Sequence, residues 1–321
     1  MKYALHLLPL LWLPCLTVGA EAPARTAAEQ AAYPWSQAAP PELVRSSVLP
    51  NRVMHEQECD WRPALTPIVH ELVKNCRTAR EAVLALSAGL YKATGVHYST
   101  DRRAPCMNAL ETLAEKKVSC TGQSIFLVCA LRAAGIPARV VGIVTWNHIQ
   151  GNHTWAEAWF DGAWHMIEYN EQDFNTPWVM ENIGMINPNE QAQRILAATP
   201  QGRFLFLPSY VMGQQFIPAE DVTERYLALA RRWYEQAGLP ASRQRVLVDI
   251  TPRPETAAAV QIEDEAGRII SSSLLPTKQD DMRNMARLEL PREGRYYLHI
   301  EGRERAELPA TEAPVQVIEV N

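Results

Sequence analysis

The chain has 321 residues and a formal net charge of −5, with 31 lysines and arginines against 36 aspartates and glutamates. A mildly acidic chain without a basic block has no electrostatic footprint for nucleic acid or an anionic membrane surface, so neither partner is expected. Hydrophobic residues make up 47% of the chain, and its length favours two folded domains.

The first twenty residues have the three parts of a secretory signal. Lys2 precedes an apolar run over residues 3–16, and small residues follow up to Ala20. The run is too short to span a bilayer, so we expect no membrane span, cleavage after Ala20, and a secreted or periplasmic protein. Residues 21–50 are rich in alanine and proline without an apolar period, which predicts a flexible leader.

Two helices are predicted in the next part of the chain. Thr66 and Pro67 indicate the start of the first helix. Thr78 and Glu81 form a capping box for the second, which runs to about Lys92. We expect both helices to cover a sheet that forms later in the chain.

Cys120 stands at the head of a run that is apolar on nearly all sides, S-C-T-G-Q-S-I-F-L-V-C-A-L-R. This pattern predicts a buried helix, with Ser119 or Thr121 as its cap and Gly135-Ile136-Pro137 as its end. A helix N-terminus lowers the pKa of a thiol from its usual value of roughly 8.5. Cys120 is therefore a candidate nucleophile for acyl transfer.

A histidine follows on a predicted strand. His153 begins a strand that turns at Asp161-Gly162, a dipeptide typical of a type I′ hairpin. A tight turn places Glu168 diagonally from His153 and Asn170 directly opposite it, so either side chain could orient the imidazole. A slip of one residue would turn Glu168 to the other face. Small side chains that favour packing against the Cys120 helix lie on the opposite face: Thr154, Ala156, Ala158 and Ala163.

These residues resemble the transglutaminase-like superfamily of papain-fold cysteine enzymes, over about residues 65 to 180. The shared pattern is a cysteine that leads a helix, the run L-R-A-A-G-I-P-A-R, a histidine on a strand, and Trp164 followed four residues later by an acid. The resemblance implies an α+β fold with helices packed on an antiparallel sheet. It also implies that Cys120 is the nucleophile, His153 the general base and acid, and Glu168 the orienting acid.

Two features differ from the family pattern. The family usually has aspartate at the position of Glu168, and its protein-crosslinking members carry a tryptophan shortly before the cysteine, which is absent between Trp61 and Cys120. We therefore expect a cysteine hydrolase that cleaves a peptide or other amide bond, in a peptide, protein or glycopeptide, through a thioester. The alternatives are a protein-crosslinking transglutaminase and a non-catalytic module that binds peptide or glycan.

An aromatic groove beside the nucleophile is predicted to hold the substrate chain. The predicted substrate contacts are Gln123, Trp155, Asn170 and Trp178. Glu157, on the same face as His153, is expected to be a solvated or locally paired charge. We predict no cofactor and no metal, because the histidines lack ligand spacing and neither C-x-x-C nor H-E-x-x-H occurs.

The cysteine count also carries information. Of the six cysteines, one lies in the predicted signal, and the remaining five leave at least one free thiol in an oxidising compartment. Cys120 is the natural candidate for that thiol. The other four allow three pairings, among which spacing does not choose: Cys59, Cys76, Cys106 and Cys129.

The chain is expected to divide after its catalytic domain, which we place at residues 51–218. A helix at 219–240 has one apolar face and is predicted to brace this domain against a second one at 241–321. Six β-patterned runs in the second domain indicate a small antiparallel β-sandwich.

Overall fold

The computed structural model describes residues 33–36, 38–147, 151–236, 242–278, 285–311 and 315–320. The predicted signal, residues 1–20, lies outside the described residues. Among the described residues, none of the helices combines the length and apolar character that crossing a membrane requires.

The described part of the predicted leader is packed against the hydrophobic core formed by the helices that follow it. Helix α1 covers Pro41–Ser47. Trp35 is buried, and its Nε1 donates to the Ala134 carbonyl oxygen at 3.0 Å. The buried indole adds apolar area and a satisfied N–H to the packing of this segment. This part of residues 21–50 is therefore ordered, contrary to the flexibility expected of it.

Four further helices precede the central sheet: α2 at Arg62–Val73, α3 at Ala79–Thr94, α4 at Ala109–Glu115 and α5 at Cys120–Ala133. Helix α2 begins earlier than predicted, with Pro63 in its first turn, where a missing N–H costs nothing. Pro67, which was expected to open this helix, lies inside it. Two short strands, β1 at His97–Tyr98 and β2 at Lys117–Val118, pair in parallel between these helices.

The predicted capping box of α3 is confirmed. Thr78 Oγ1 accepts a hydrogen bond from the Glu81 N–H at 3.2 Å, and the Glu81 carboxylate accepts from the Thr78 N–H. Gly95 ends the helix in the left-handed region, with a φ of 74°. This boundary was predictable because each of its signals is local to the sequence.

The central sheet has six strands: β3 at Ala138–Ile143, β4 at His153–Phe160, β5 at Ala163–Ile167, β6 at Leu196–Ala198, β7 at Phe204–Leu205 and β8 at Pro218–Asp221. Their order is β5-β4-β3-β6-β8-β7, and every neighbouring pair is antiparallel. The predicted hairpin register is confirmed from the Phe160 and Ala163 pair to the Ala156 and Ile167 pair, but the ladder does not extend to the predicted pairing of His153 with Asn170. The ladder ends at Ile167, so Glu168 is the first residue beyond strand β5.

Each face of this sheet is covered by its own hydrophobic core. Helices α2, α3 and α5 pack on one face, where the small residues Ala156 and Ala158 join the core. The other face carries Trp155 and is covered by α6 at Pro177–Ile183 and α8 at Thr223–Gln236. The segment from 175 to 218 also holds a 3-10 turn at Gln191–Gln193 and α7 at Pro208–Val211.

The C-terminal part forms two further sheets around one core. The strands are β9 at Arg243–Ile250, β10 at Ala259–Asp264, β11 at Ile269–Leu274, β12 at Ala286–Pro291, β13 at Tyr296–Ile300, β14 at Ala306–Glu307 and β15 at Val315–Val320. Their orders are β12-β9-β15 and β11-β10-β13-β14. All six predicted runs are strands, but β15 pairs with β9 in parallel, so the arrangement is not wholly antiparallel. The described residues thus form an α+β protein.

Candidate active site

The candidate nucleophile is the first residue of α5. Ser119 caps this helix: its Oγ accepts from the Gly122 N–H at 2.9 Å and donates to the Pro105 carbonyl oxygen at 2.7 Å. A Cβ on Gly122 would lie 2.7 Å from the Val118 Cβ, closer than side chains pack. Glycine at this position therefore lets the start of α5 sit tightly against β2, which fixes the position of Cys120.

The candidate base lies opposite on the first residue of β4. His153 is buried, and its Nε2 lies 2.6 Å from Glu168 Oε1. Because Glu168 occupies one ring nitrogen, Nδ1 is the atom left to hydrogen bond with the Cys120 thiol. The three side chains that the sequence singled out for catalysis are thus linked in one line, Cys120 to His153 to Glu168.

The charges of His153 and Glu168 stabilise a pair made of the Cys120 thiolate and the His153 imidazolium. Burial alone would raise the pKa of Cys120, but the hydrogen bond and charge of His153, with hydrogen bonds from Thr154, lower it from 9.0 to about 6. Burial opposes the charged form of His153 as well, yet the Glu168 carboxylate and the Cys120 contact raise the imidazole pKa above its usual value. A thiol pKa lowered in this way is what a nucleophilic cysteine needs near neutral pH.

All five cysteines in the described part of the chain are free, so none of the three pairings considered above forms. Burial raises the pKa of Cys59 and Cys76, raises that of Cys106 to about 12, and raises that of Cys129 as well. Cys129 lies in the core, as expected for a residue on the inner part of an apolar helix. Only Cys120, of these five, has a depressed pKa.

A cleft of about 330 Å³ opens beside the Cys120 sulfur. Three of the four predicted substrate contacts, Gln123, Trp155 and Asn170, lie in its wall. Asn170 has a φ of 64°, in the left-handed region that asparagine tolerates. The full lining is Tyr91, His97, Tyr98, Cys120, Gln123, Ser124, His153, Thr154, Trp155, Glu168, Tyr169, Asn170 and Glu171.

Two of the predicted substrate contacts also pack around the imidazole. The Trp155 ring stacks on His153 with centroids 5.8 Å apart, and only 1% of Trp155 is exposed. Trp178, on α6, lies outside the cleft lining and meets the His153 ring edge-on at 4.6 Å. Both rings therefore shield and orient His153, and their contact with a substrate chain stays a prediction.

Sequence reasoning missed the residues that reach the cleft from outside the motif. Tyr91 comes from the last turn of α3, and His97 and Tyr98 form β1, which is too short for a strand pattern to reveal. Thr154 was expected only to pack against the helix, but it also hydrogen bonds with Cys120. The close approach of Thr154 needs a small neighbour, because a Cβ on Gly142 would lie 2.8 Å from the Thr154 methyl carbon.

Three solved structures resemble part of this chain at low sequence identity. A candidate cysteine protease from Cytophaga hutchinsonii is 20% identical over 35% of this chain and 38% of its own, with a TM-score of 0.30. The periplasmic domain of TgpA from Pseudomonas aeruginosa is 19% identical over 35% and 45%, with a TM-score of 0.28. Red sea bream transglutaminase is 12% identical over 77% and 58%, with a TM-score of 0.35. The chain therefore spans less than two thirds of the length of each.

Comparison at the level of sequence gives a family for the central segment. No protein with a curated description matches the sequence. The sequence profile of the transglutaminase-like superfamily matches residues 66–168, a segment that contains Cys120, His153 and Glu168. This agrees with the resemblance stated from the motifs. The segment from residue 66 to residue 168 belongs to the transglutaminase-like superfamily.

Proposed function

We propose that this chain is a cysteine-dependent acyl-transfer enzyme that hydrolyses a peptide or other amide bond. The observation that carries the proposal is the connected line of Cys120, His153 and Glu168, in which the thiol pKa is lowered to about 6. A thiol of lowered pKa in the wall of a cleft is a candidate for a catalytic group, whereas burial raises the pKa of the Cys106 and Cys129 thiols.

In the proposed reaction, the Cys120 thiolate attacks the carbonyl carbon of the amide. His153, protonated in the resting pair, gives its Nδ1 proton to the leaving amine, and a thioester with Cys120 remains. His153 then takes a proton from a water molecule, whose oxygen attacks the thioester and releases the acid and the thiolate. Glu168 holds the imidazole in the orientation that both steps need, and the Cys120 N–H at the head of α5 is the proposed donor to the oxyanion.

Hydrolysis is favoured over protein crosslinking by the character of the cleft. Its walls carry polar side chains, including Gln123, Ser124 and Asn170, so water has access to the thioester. The proposed substrate is a peptide, protein or glycopeptide that presents its amide in the cleft. A primary amine would have to compete with water at the same carbonyl.

A peptide library analysed by mass spectrometry tests this function. We expect new peptide ends with the wild-type protein and none with Cys120→Ala, while Cys106→Ala, which removes a thiol of raised pKa, retains cleavage. Rapid acid quenching should trap a thioester on Cys120. If an added primary amine replaces water in the products, the protein is a crosslinking enzyme. If neither product forms and no thioester is trapped, it is a binding module.

Export is a separate proposal, which rests on residues 1–20 alone. Expression of the full chain in a bacterium, followed by fractionation, should give a periplasmic or secreted protein. N-terminal sequencing of that protein should begin at residue 21. A full-length protein that stays in the cytoplasm would contradict export.

A further inference from the structure

A buried ionic cluster lies under β4, on the face of the sheet away from α5. Its centre is Glu157, which is fully buried and locally paired, the second of the two states expected for it. Arg139 Nε lies 2.9 Å from Glu157 Oε2, and Arg225 donates to Oε1. The Tyr226 hydroxyl donates to the same Oε1 at 2.8 Å. Burial opposes the ionised form of Glu157, but the two guanidinium groups keep its pKa below the usual value.

Tyr226 has a second hydrogen bond, which links this cluster to the active site. Its hydroxyl oxygen accepts from Trp155 Nε1 at 2.6 Å, and the two rings meet edge-on with centroids 5.3 Å apart. Burial and the Glu157 carboxylate raise the pKa of Tyr226 well above its usual range, so the hydroxyl retains its proton. The charge of Glu157 therefore orients the hydroxyl, and the oriented hydroxyl fixes the indole of Trp155.

The indole in turn forms one wall of the His153 site. Trp155 stacks on the imidazole at 5.8 Å with an angle of 29° between the rings, and Trp178 closes the edge at 4.6 Å. The imidazole must aim one nitrogen at Glu168 and the other at Cys120 at the same time. A small tilt of the ring would break one of these two contacts. A fixed indole against its face limits that tilt.

We propose that Tyr226 is a positioning residue for His153, acting through the hydrogen bond to Trp155. Tyr226 lies on α8, beyond the segment 66–168 that matches the superfamily, so the helix that follows the domain contributes to the alignment of the active site. The proposal rests on the proposed function, since it assigns the contact a role in the reactivity of Cys120 and His153.

The test compares Tyr226→Phe with Tyr234→Phe. Both variants remove one hydroxyl from α8, but the buried Tyr234 hydroxyl makes no hydrogen bond within the described part of the chain. Three quantities are measured: the pH profile of iodoacetamide alkylation at Cys120, kcat and KM for a cleaved peptide, and the thermal midpoint. Alkylation needs no substrate, so it reports on the thiolate and imidazolium pair even if no peptide is cleaved.

For Tyr226→Phe we expect the alkylation midpoint to rise by about one pH unit, because a misaligned His153 stabilises the thiolate less. We expect kcat to fall by roughly ten- to a hundredfold with KM unchanged, since small misplacements at a reacting group have effects of this size. Tyr234→Phe should leave the midpoint, kcat and KM at wild-type values. Trp155→Phe removes the same hydrogen bond from the other side and should move the midpoint in the same direction as Tyr226→Phe.

The outcomes separate this proposal from the proposed function. If Tyr226→Phe lowers the thermal midpoint but keeps the wild-type alkylation profile, Tyr226 is only structural and the proposal is wrong. If the variant does not fold, Trp155→Phe decides by the same profile. If wild type cleaves no amide, yet its alkylation midpoint lies near pH about 6 and rises in Tyr226→Phe, the positioning role stands and the proposed function fails.

Discussion

Cys120 and His153 share a proton, and their surroundings determine which of them holds it near neutral pH. The thiol pKa is lowered to about 6 and the imidazole pKa is raised, so thiolate and imidazolium coexist between these two values. Below the lower value the thiol is protonated, and above the upper value the imidazole is neutral. The reactive pair therefore exists in a window that begins at mildly acidic pH.

The first prediction concerns the pH dependence of alkylation in the wild-type protein. We expect the rate at Cys120 to rise through pH about 6 and then to level off. Cys59 and Cys76 should react only at alkaline pH, because burial raises the pKa of each thiol. Peptide mapping by mass spectrometry measures all three rates in one sample. A profile for Cys120 that matches a free model thiol would eliminate the ion pair and with it the nucleophile.

The second prediction concerns Glu168, which differs from the aspartate usual in the family. Glu168→Gln should leave the fold intact, because the amide has the same size, but it should lower kcat on the order of a thousandfold or more. An amide cannot stabilise the imidazolium and permits the wrong tautomer of His153. Asn170→Gly is the control, since glycine tolerates the positive φ of 64° at that position.

Asn170→Gly removes the other side chain that the sequence placed near His153, and we expect it to affect KM rather than kcat. Measuring kcat across a pH series for both variants distinguishes orientation from substrate binding. A larger loss of kcat in Asn170→Gly than in Glu168→Gln would reverse the two roles.

At the scale of elements, the N-terminus of α5 affects both the stability of this helix and the reactivity of Cys120. Ser119 satisfies the Gly122 N–H and also ties the cap to the Pro105 carbonyl. The third prediction is that Ser119→Ala lowers the free energy of unfolding by about 1 kcal/mol, as loss of an N-cap does. It should also slow alkylation of Cys120 at pH about 6, because the start of α5 becomes less well fixed.

Thr78→Ala provides the matched control for this prediction. It removes an N-cap of the same kind from α3, where Thr78 accepts from the Glu81 N–H. Chemical denaturation should show a similar loss of stability in the two variants, whereas alkylation should slow only in Ser119→Ala. Equal alkylation rates would mean that the cap has no part in the reactivity of Cys120.

Elements whose signals are local were predictable from the sequence, and those that depend on distant partners were not. The hairpin register followed from Asp161 and Gly162, whose φ values of 50° and 79° are those that a type I′ turn needs. In contrast, β6 has three residues and exists because it pairs with β3 and β8. The short elements of the 175–218 segment have no periodicity of their own, so the sequence does not reveal them.

The same distinction holds for the candidate site. Cys120, His153 and Glu168 lie within one stretch of alternating and helical patterns, so their approach could be worked out from register. Tyr226 is far from them in sequence and reaches the site only because α8 crosses the back of the sheet. An amphipathic pattern shows which face of a helix is buried, but not which hydrogen bond one tyrosine makes.

At the scale of the whole molecule, the C-terminal sheets are joined by a buried ion pair to helix α6, which covers the central sheet. Arg245 on β9 contacts Glu181 on α6, with Nη1 and Oε1 2.7 Å apart, and Glu181 is 1% exposed. Arg287 Nε lies 3.3 Å from the other carboxylate oxygen. Helix α6 also carries Trp178, the residue at the edge of the His153 ring. The β-rich domain therefore contacts a helix of the candidate site, a contact that its sequence did not indicate.

The last prediction tests this connection with Arg245→Leu. The change leaves the Glu181 carboxylate buried beside Arg287 alone, and breaking a buried pair from one side costs about 3 to 5 kcal/mol. Because Arg287 remains, we expect a loss near the lower end of that range, measured by chemical denaturation of the full chain. Adding Glu181→Leu to Arg245→Leu should restore much of the stability, since an apolar pair of similar volume is often tolerated in place of a buried ion pair.

Arg268→Leu is the control for this prediction. Arg268 also pairs with a carboxylate of the β-rich domain, but its side chain is 80% exposed, and pairs exposed to water contribute little to stability. The denaturation midpoint should therefore hardly change in Arg268→Leu and fall clearly in Arg245→Leu. Similar midpoints in the two variants would show that the pair of Arg245 and Glu181 does not contribute to the stability of the protein. If Arg245→Leu instead keeps the wild-type midpoint but has a lower kcat, the pair of Arg245 and Glu181 positions α6 without adding to stability.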